Sequence, residues 1–263
     1  MSREEYQRRL ERLRANVVEM SDLVCARLRT ALEARERNDD ELAREVIEGD
    51  DEINELYLDL EGDCIELFAL QQPVAGDLRF IAASFKIITD LERIGDLATN
   101  VAGYAGSAGG TSHDRYPQID VQHIGERTVE MVEAAVRAYA DDDANATYDV
   151  AAADEEIDTL CERASEAIVR DLLETGTGAG TELGTTSGTA ADADDDGSAY
   201  AYTDDTDIDT AETRTDITPD EILLEDVERL LLTIRDLERV GDHAVNIAAR
   251  TLYMVENDDE LIF

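Results

Sequence analysis

One seven-residue segment occurs twice, and that duplication constrains the fold more than any other feature of the chain. Asp90-Leu91-Glu92-Arg93-Ile94-Gly95-Asp96 returns as Asp236-Leu237-Glu238-Arg239-Val240-Gly241-Asp242, 146 residues later (236 − 90). The likeness runs on, with Ala98, Asn100 and Ala102 answered by Ala244, Asn246 and Ala248. Residues four apart on a helix share a face, so Glu92 stands with Asp96 and Glu238 with Asp242. The apolar stripe runs elsewhere, through Ile87, Leu91, Ile94, Ala98 and Val101. At roughly 100° per residue from Leu91, Glu92 falls at about +100° and Asp96 at about +140°. The carboxylates flank a buried seam without entering it. Each copy therefore offers either oxygen ligands or a salt-bridge network with arginines such as Arg93.

A second register links the earlier parts of the two copies. Shifting by 104 residues (154 − 50) lays Leu28 on Val132, Leu32 on Val136, Val46 on Val150, Asp50 on Asp154, Ile53 on Ile157 and Leu56 on Leu160. From Asp50 to Glu92 is 42 residues (92 − 50), whereas Asp154 to Glu238 is 84 (238 − 154). The excess matches the tract from Thr175 to Asp216, rich in Gly, Thr, Ala and Asp and without apolar periodicity. It reads as a disordered acidic insertion between two helices of the second copy. Within it Asp192, Asp194, Asp196 and Gly197 imitate the opening of a calcium-binding EF-hand loop. The twelfth position is Thr203 where that loop needs a bidentate Glu, so a solvated acidic linker is the expectation.

Each copy reads as three long amphipathic helices. Ser2 and Glu5 form a capping box, after which Leu10, Leu13, Val17, Met20, Val24, Leu28 and Leu32 recur at helical spacing to about Glu36. The next helix starts at Asn38-Asp39-Asp40-Glu41 and carries Leu42, Val46, Ile53, Leu56, Leu60, Cys64 and Leu67. It ends at Gln72-Pro73, because proline disfavours helix in the residue before it. The third runs from about Val74 to Tyr104. Thr218-Pro219-Asp220-Glu221 restarts the last helix with a Thr cap, Pro at the first position and Glu at the third. The expected fold is all-α, two tandem homologous three-helix bundles related by a pseudo-two-fold. Residues 1–105 form the first bundle, 106–117 a linker, 118–174 with 217–256 the second bundle, and 175–216 the insertion.

The second helix of each copy adds further polar groups beside its seam: Asp50 and Asn54 in one, Asp154 and Asp158 in the other. If the second and third helices pack antiparallel, these groups converge on the doubled Glu/Asp pairs. Clusters of carboxylates alone suit hard cations such as magnesium, calcium, manganese or iron.

Composition limits the function classes. The net charge is −41, and Lys86 is the sole lysine. That balance fits a protein of a high-salt cytoplasm, of the haloarchaeal kind, where charge is heavily screened. No basic patch is available for a nucleic-acid backbone. Cys25, Cys64 and Cys161 are far apart, sit in apolar helical patterns and read as small core residues. The charged N-terminus is no signal peptide, and no stretch approaches the roughly 20 apolar residues of a membrane span, so a cytoplasmic protein without membrane insertion is expected. No Ser-His-Asp set, P-loop or activated cysteine points to catalysis. Of the histidines, His113 lies in the linker, His123 opens the fourth helix, and His243 reads as an outward-facing helix residue with metal ligation as its alternative.

The doubled Asp-Leu-Glu-Arg-(Ile/Val)-Gly-Asp segments, the turn Gln71-Gln72-Pro73-Val74-Ala75-Gly76-Asp77-Leu78-Arg79 and the two-triplet layout together resemble the PhoU family, regulators of phosphate-specific transport. The resemblance covers nearly all of the chain outside the insertion. It implies an all-α fold of two three-helix bundles and a metal-binding Glu/Asp-x-x-x-Asp motif in each, some members carrying iron or zinc clusters. Carried over, the ligands are Glu92, Asp96, Glu238 and Asp242, with Asp50, Asp154 and Asp158 beside them and Asn54, Asn100 and Asn246 as weaker candidates. The metal is then iron, zinc, magnesium or manganese. Asn54 departs from the acidic pattern that Asp158 keeps, which weakens the first site. The resemblance also implies a non-enzymatic cytoplasmic regulator that damps phosphate uptake and starvation signalling. Its expected partner is the transporter ATPase or a signalling protein, with a homodimer left open. The rival readings are an accessory protein of a different phosphate:cation transporter and a metal-dependent phosphohydrolase.

Overall fold

The computed structural model describes residues 3–70, 74–105, 116–178 and 219–261. Seven α-helices, and no strand, occur among them: α1 Arg3–Arg37, α2 Asp40–Glu48, α3 Asp50–Leu70, α4 Ala75–Gly103, α5 Val121–Asp141, α6 Ala144–Gly178 and α7 Pro219–Glu256. The Ser2 and Thr218 caps, the Gln71-Gln72-Pro73 turn, His113 with most of the linker, and residues 179–216 of the expected insertion, EF-hand-like run included, lie outside the described residues.

The two copies form two bundles, α1 with α2/α3 and α4, and α5 with α6 and α7. They join through α4 against α7 and α1 against α5. Those four helices make a closed central ring, with α3 packed outside α4 and α1, and α6 outside α7 and α5. The apolar faces merge into one continuous core, in which Val17, Met20, Ile81, Ile87, Leu91, Ile94, Val132, Tyr139, Leu237, Val240 and Ile247 are all essentially inaccessible to water. Burial of this kind, at about 25 cal/mol per Å² of apolar surface, is the main term holding such helices together. Cys25, Cys64 and Cys161 are buried free thiols, pushed up by burial to about 11, 12 and 12. They are core residues, as their setting in the sequence suggests. Among the described residues no helix is long and apolar enough to cross a membrane.

The polar contacts give the register of the central ring. Along the α4–α7 seam Arg79 Nε donates to the Met254 carbonyl (3.4 Å), Asp90 meets His243 (2.9 Å) and Tyr104 Oη donates to Asp236 (3.0 Å). The residue numbers fall on one helix as they rise on the other, so the helices are antiparallel. Arg29 and Glu133, which are 104 apart (133 − 29) and hence equivalent in the two copies, meet at 2.6 Å between α1 and α5. Equivalent residues touch only on the pseudo-two-fold axis. Identical charges there would repel, and the duplication has diverged to an opposite pair.

The sequence reading expected one unbroken second helix in the first copy, but the chain breaks between α2 and α3 at Gly49. The cause is tertiary. Arg27 of α1 reaches into the break, donating from Nη1 to the Glu45 carbonyl (3.2 Å) and from Nη2 to Glu52 (2.6 Å). A Cβ on residue 49 would collide with that guanidinium. The second copy has Met131 where the first has Arg27 and Ala153 where it has Gly49 (both shifted by 104), and α6 runs through the same region intact.

Candidate metal-binding clusters

The repeated segment divides its side chains among three directions. Leu91, Ile94, Leu237 and Val240 point into the core and are fully buried. The glycines let the outer helix approach: a Cβ on Gly95 would sit 3.0 Å from Ile53 Cδ1, and one on Gly241 would sit 2.9 Å from Asp154 Oδ1. The opening aspartates turn across the molecule, Asp90 to His243 and Asp236 to Tyr104. That leaves Glu92 with Asp96, and Glu238 with Asp242, on the face toward α3 and α6 respectively. Each of these four carboxyls is pushed up first by burial and then by neighbouring carboxylates. Glu92 feels Asp96 and Asp50; Asp96 feels Asp50; Glu238 and Asp242 both feel Asp158. The outer helices run antiparallel to α4 and α7, and Asp50 and Asp158 lie near enough to the doubled pairs to push their carboxyls up.

The two clusters differ in how their outer-helix aspartate is satisfied. Asp50 opens α3, where a helix N-terminus favours a carboxylate. Its Oδ2 accepts from Asn54 Nδ2 (2.9 Å) and its Oδ1 from Thr99 Oγ1 (3.2 Å). In the second copy Asn54 is replaced by Asp158 (shift 104) and Thr99 by Val245 (shift 146), so both donors are gone. Asp154 also sits inside an uninterrupted helix, away from any N-terminus. The result is a buried Oδ1 with no hydrogen-bond partner, and a carboxyl pushed up to about 6 by burial together with Asp158, Asp242 and Glu238. A buried oxygen in this state calls for a proton or a cation.

Among the described residues no three Asp, Glu, His or Cys side chains are placed to hold a metal ion as they stand. The donor chemistry nonetheless fits a hard cation in the second copy: Asp154, Asp158, Glu238 and Asp242 supply only carboxylate oxygens, and one of these is buried and orphaned. In the first copy the same positions are less demanding, because Asn54 and Thr99 already serve Asp50. Asn100 and Asn246 are exposed, and no hydrogen bond ties them to either cluster.

His243 corrects the sequence reading. It is 8% exposed and pairs through Nδ1 with Asp90 Oδ1 at 2.9 Å, on the seam between the bundles. The signal was available: in the 146-residue register His243 occupies the position of Leu97, which is itself buried. Reading the motif by spacing alone also missed the cross-bundle role of Asp90 and Asp236. Asp236 is completely buried, and its charge is met by Tyr104, by Arg235 (3.0 Å) and by Arg239 (3.8 Å).

Known proteins share this architecture and sequence. A family model described as the PhoU domain matches residues 17–105, 121–190 and 200–251. A phosphate-specific transport system accessory protein PhoU homolog of Pseudomonas aeruginosa is 28% identical over 97% of this chain and 87% of its own length. Homolog 1 from Methanothermobacter thermautotrophicus is 28% identical over 95% of this chain and 94% of its own length. The crystal structure of PhoU from Pseudomonas aeruginosa superposes with a TM-score of 0.72 at 28% identity, covering 96% of this chain and all of that one. The phosphate transport system regulatory protein PhoU from Streptococcus pneumoniae shares the fold, with a TM-score of 0.70 at 21% identity and 96% coverage of this chain. With a duplicated helical triplet, a doubled carboxylate motif and a match that runs through both copies, the chain belongs to the PhoU family.

Proposed function

We propose that this protein is a cytoplasmic regulator that damps phosphate uptake and phosphate-starvation signalling, working as a metal-binding helical adaptor without enzymatic activity of its own. The observation that carries the reading is the family match through both bundles, together with relatives of nearly equal length named as accessory proteins of phosphate-specific transport. Its partner in this reading is the ATPase of a phosphate transporter or a signalling protein. The carboxylate cluster of the second bundle, Asp154, Asp158, Glu238 and Asp242, holds a cation, with Glu92, Asp96 and Asp50 as a weaker counterpart. Bound there, a hard cation supplies positive charge that neutralises mutually repelling carboxylates and ties α6 to α7. The protein's own groups do the rest: Gly241 brings the two helices close, and the Asp90–His243 and Tyr104–Asp236 pairs transmit the position of one bundle to the other.

The acidic, lysine-poor surface supports a salt-adapted cytoplasmic setting. The phosphohydrolase and other-transporter readings have no observation of their own behind them. The test is phosphate uptake in the native host. Removing the gene should raise uptake of labelled phosphate in phosphate-replete medium, and restoring the wild-type protein should lower it again. Uptake that ignores the gene in both replete and starved cells would contradict the regulatory reading.

A further inference from the structure

The outer face of α3 carries a run of exposed apolar side chains on a strongly acidic chain. Leu58 is 62% exposed, Ile65 55% and Phe68 37%, although their helix already buries a full core face through Ile53, Leu60, Cys64 and Leu67. Measured from Ile65 at about 100° per residue, Leu58 lies at about +20°, Ala69 at about +40°, Gly62 at about +60° and Phe68 at about −60°. These residues form one apolar stripe directed away from the core, at the spacing of a helix-packing seam.

Gly62 sharpens the point. It lies inside an exposed stretch of helix, where glycine costs about 1 kcal/mol relative to alanine, and a Cβ there would meet nothing within 4 Å. Nothing within the described structure requires its small size. A flat notch midway along one edge of the apolar stripe admits the close approach of another backbone. The equivalent helix of the second bundle keeps only part of the stripe: under the 104-residue shift Ile65 and Ala69 become the exposed Val169 and Leu173, but Leu58 and Gly62 become Glu162 and Glu166. The uninterrupted stripe with its glycine notch is therefore peculiar to α3.

Its flanks select the occupant. Glu61 lies within the stripe at about −40°, between Ile65 and Phe68, and Glu55, Glu66 and Asp59 border its other edge at about +80° to +120°. Arg9 holds Glu66 (2.6 Å), whereas Glu55, Asp59 and Glu61 make no ion pair among the described residues. A second copy of this chain would set acid against acid. A helix with an apolar stripe and Lys or Arg beside and within it would satisfy the stripe and its acids together.

We propose that the α3 seam of Leu58, Gly62, Ile65, Phe68 and Ala69 is the docking site for a basic amphipathic helix of a partner protein. This rests on the adaptor reading above and specifies which surface of the adaptor is used and what chemistry it accepts.

The experiment uses the full chain in molar KCl and a synthetic helical peptide of about 20 residues, with Leu at three- and four-residue spacing flanked by Lys. A peptide with Glu in place of Lys and a scrambled peptide serve as controls. One-to-one binding of the basic peptide is expected, weakened at least about tenfold in Leu58→Gln with Ile65→Gln. Gly62→Leu should weaken it comparably by filling the notch. Because the replaced side chains are exposed, unchanged thermal unfolding would show that each variant is folded. Binding that is indifferent to the three substitutions, equal binding of scrambled and patterned peptides, or no binding would overturn the proposal. So would self-association of the wild type that the substitutions abolish, because the occupant would then be a second copy. A seam that binds no peptide in a protein that still lowers phosphate uptake removes this site and leaves the regulatory reading. A working seam in a protein without effect on uptake does the reverse.

Discussion

Replacing Asp154 with Asn should stabilise the metal-free protein at pH 8, which is the opposite of the usual effect of altering a partly buried side chain. Asp154 has an orphaned buried oxygen and three carboxylates around it, and its carboxyl is pushed from 3.8 to about 6. A group bound to its proton more tightly in the folded state adds stability that is complete below the unfolded value of 3.8. That contribution is lost as the pH rises through about 6. About two pH units correspond to about 3 kcal/mol, which partial exposure and salt screening reduce to about 1–2 kcal/mol. For a chain of this size that is about 2–8 °C in Tm. The assay is thermal unfolding in molar KCl with chelator, at pH 4.5 and pH 8, for wild type and Asp154→Asn. The variant should unfold at higher temperature at pH 8 and show a flatter pH dependence. A companion change, Val245→Thr, restores the donor that Thr99 supplies in the first bundle and should add about 1 kcal/mol at pH 8. Destabilisation by Asp154→Asn at pH 8 would refute the claim that this carboxylate is unsatisfied.

His243→Leu should cost about 2–3 kcal/mol, because it strands the largely buried carboxylate of Asp90; adding Asp90→Leu should recover much of the loss, and chemical denaturation of the two variants checks this. With a net charge of −41, the unfolding temperature should climb steeply from low salt to molar KCl as the screening length shrinks to about 3 Å, and a flat response would remove the high-salt reading of the surface.

Much of this architecture was legible because it is periodic and duplicated. The stripe through Leu91, Ile94, Ala98 and Val101 identified a core face, and all four residues are fully buried. Placing Glu92 and Asp96 beside that face, and Asp50 on the neighbouring helix, needed only helical geometry. What stayed hidden depends on residues distant in sequence. The break at Gly49 is made by Arg27, and the apolar period from Leu42 to Leu67 stays in phase across it, missing only the turn at Gly49 and Asp50. His243 looks like a surface residue until its position is matched to Leu97. The contrast between Asp50 and Asp154 had one visible half, Asn54 against Asp158. Its other half, Thr99 against Val245, emerges only once the packing shows which residue of the third helix reaches the aspartate.

Metal content after paired removal of ligands tests the central claim most directly. Glu92→Gln with Asp96→Asn, and separately Glu238→Gln with Asp242→Asn, each change the net charge only from −41 to −39, so a diffuse counterion cloud is nearly unaffected. Each pair of changes deletes two carboxylates from one cluster. Elemental analysis of protein loaded with manganese or iron and dialysed in molar KCl should show a loss in both, larger in the Glu238/Asp242 variant, because Asp154 has a buried oxygen without a donor and Asp158 replaces Asn54. Wild-type metal content in both variants would mean that the repeated motif is a charged face and that the metal-binding account is wrong.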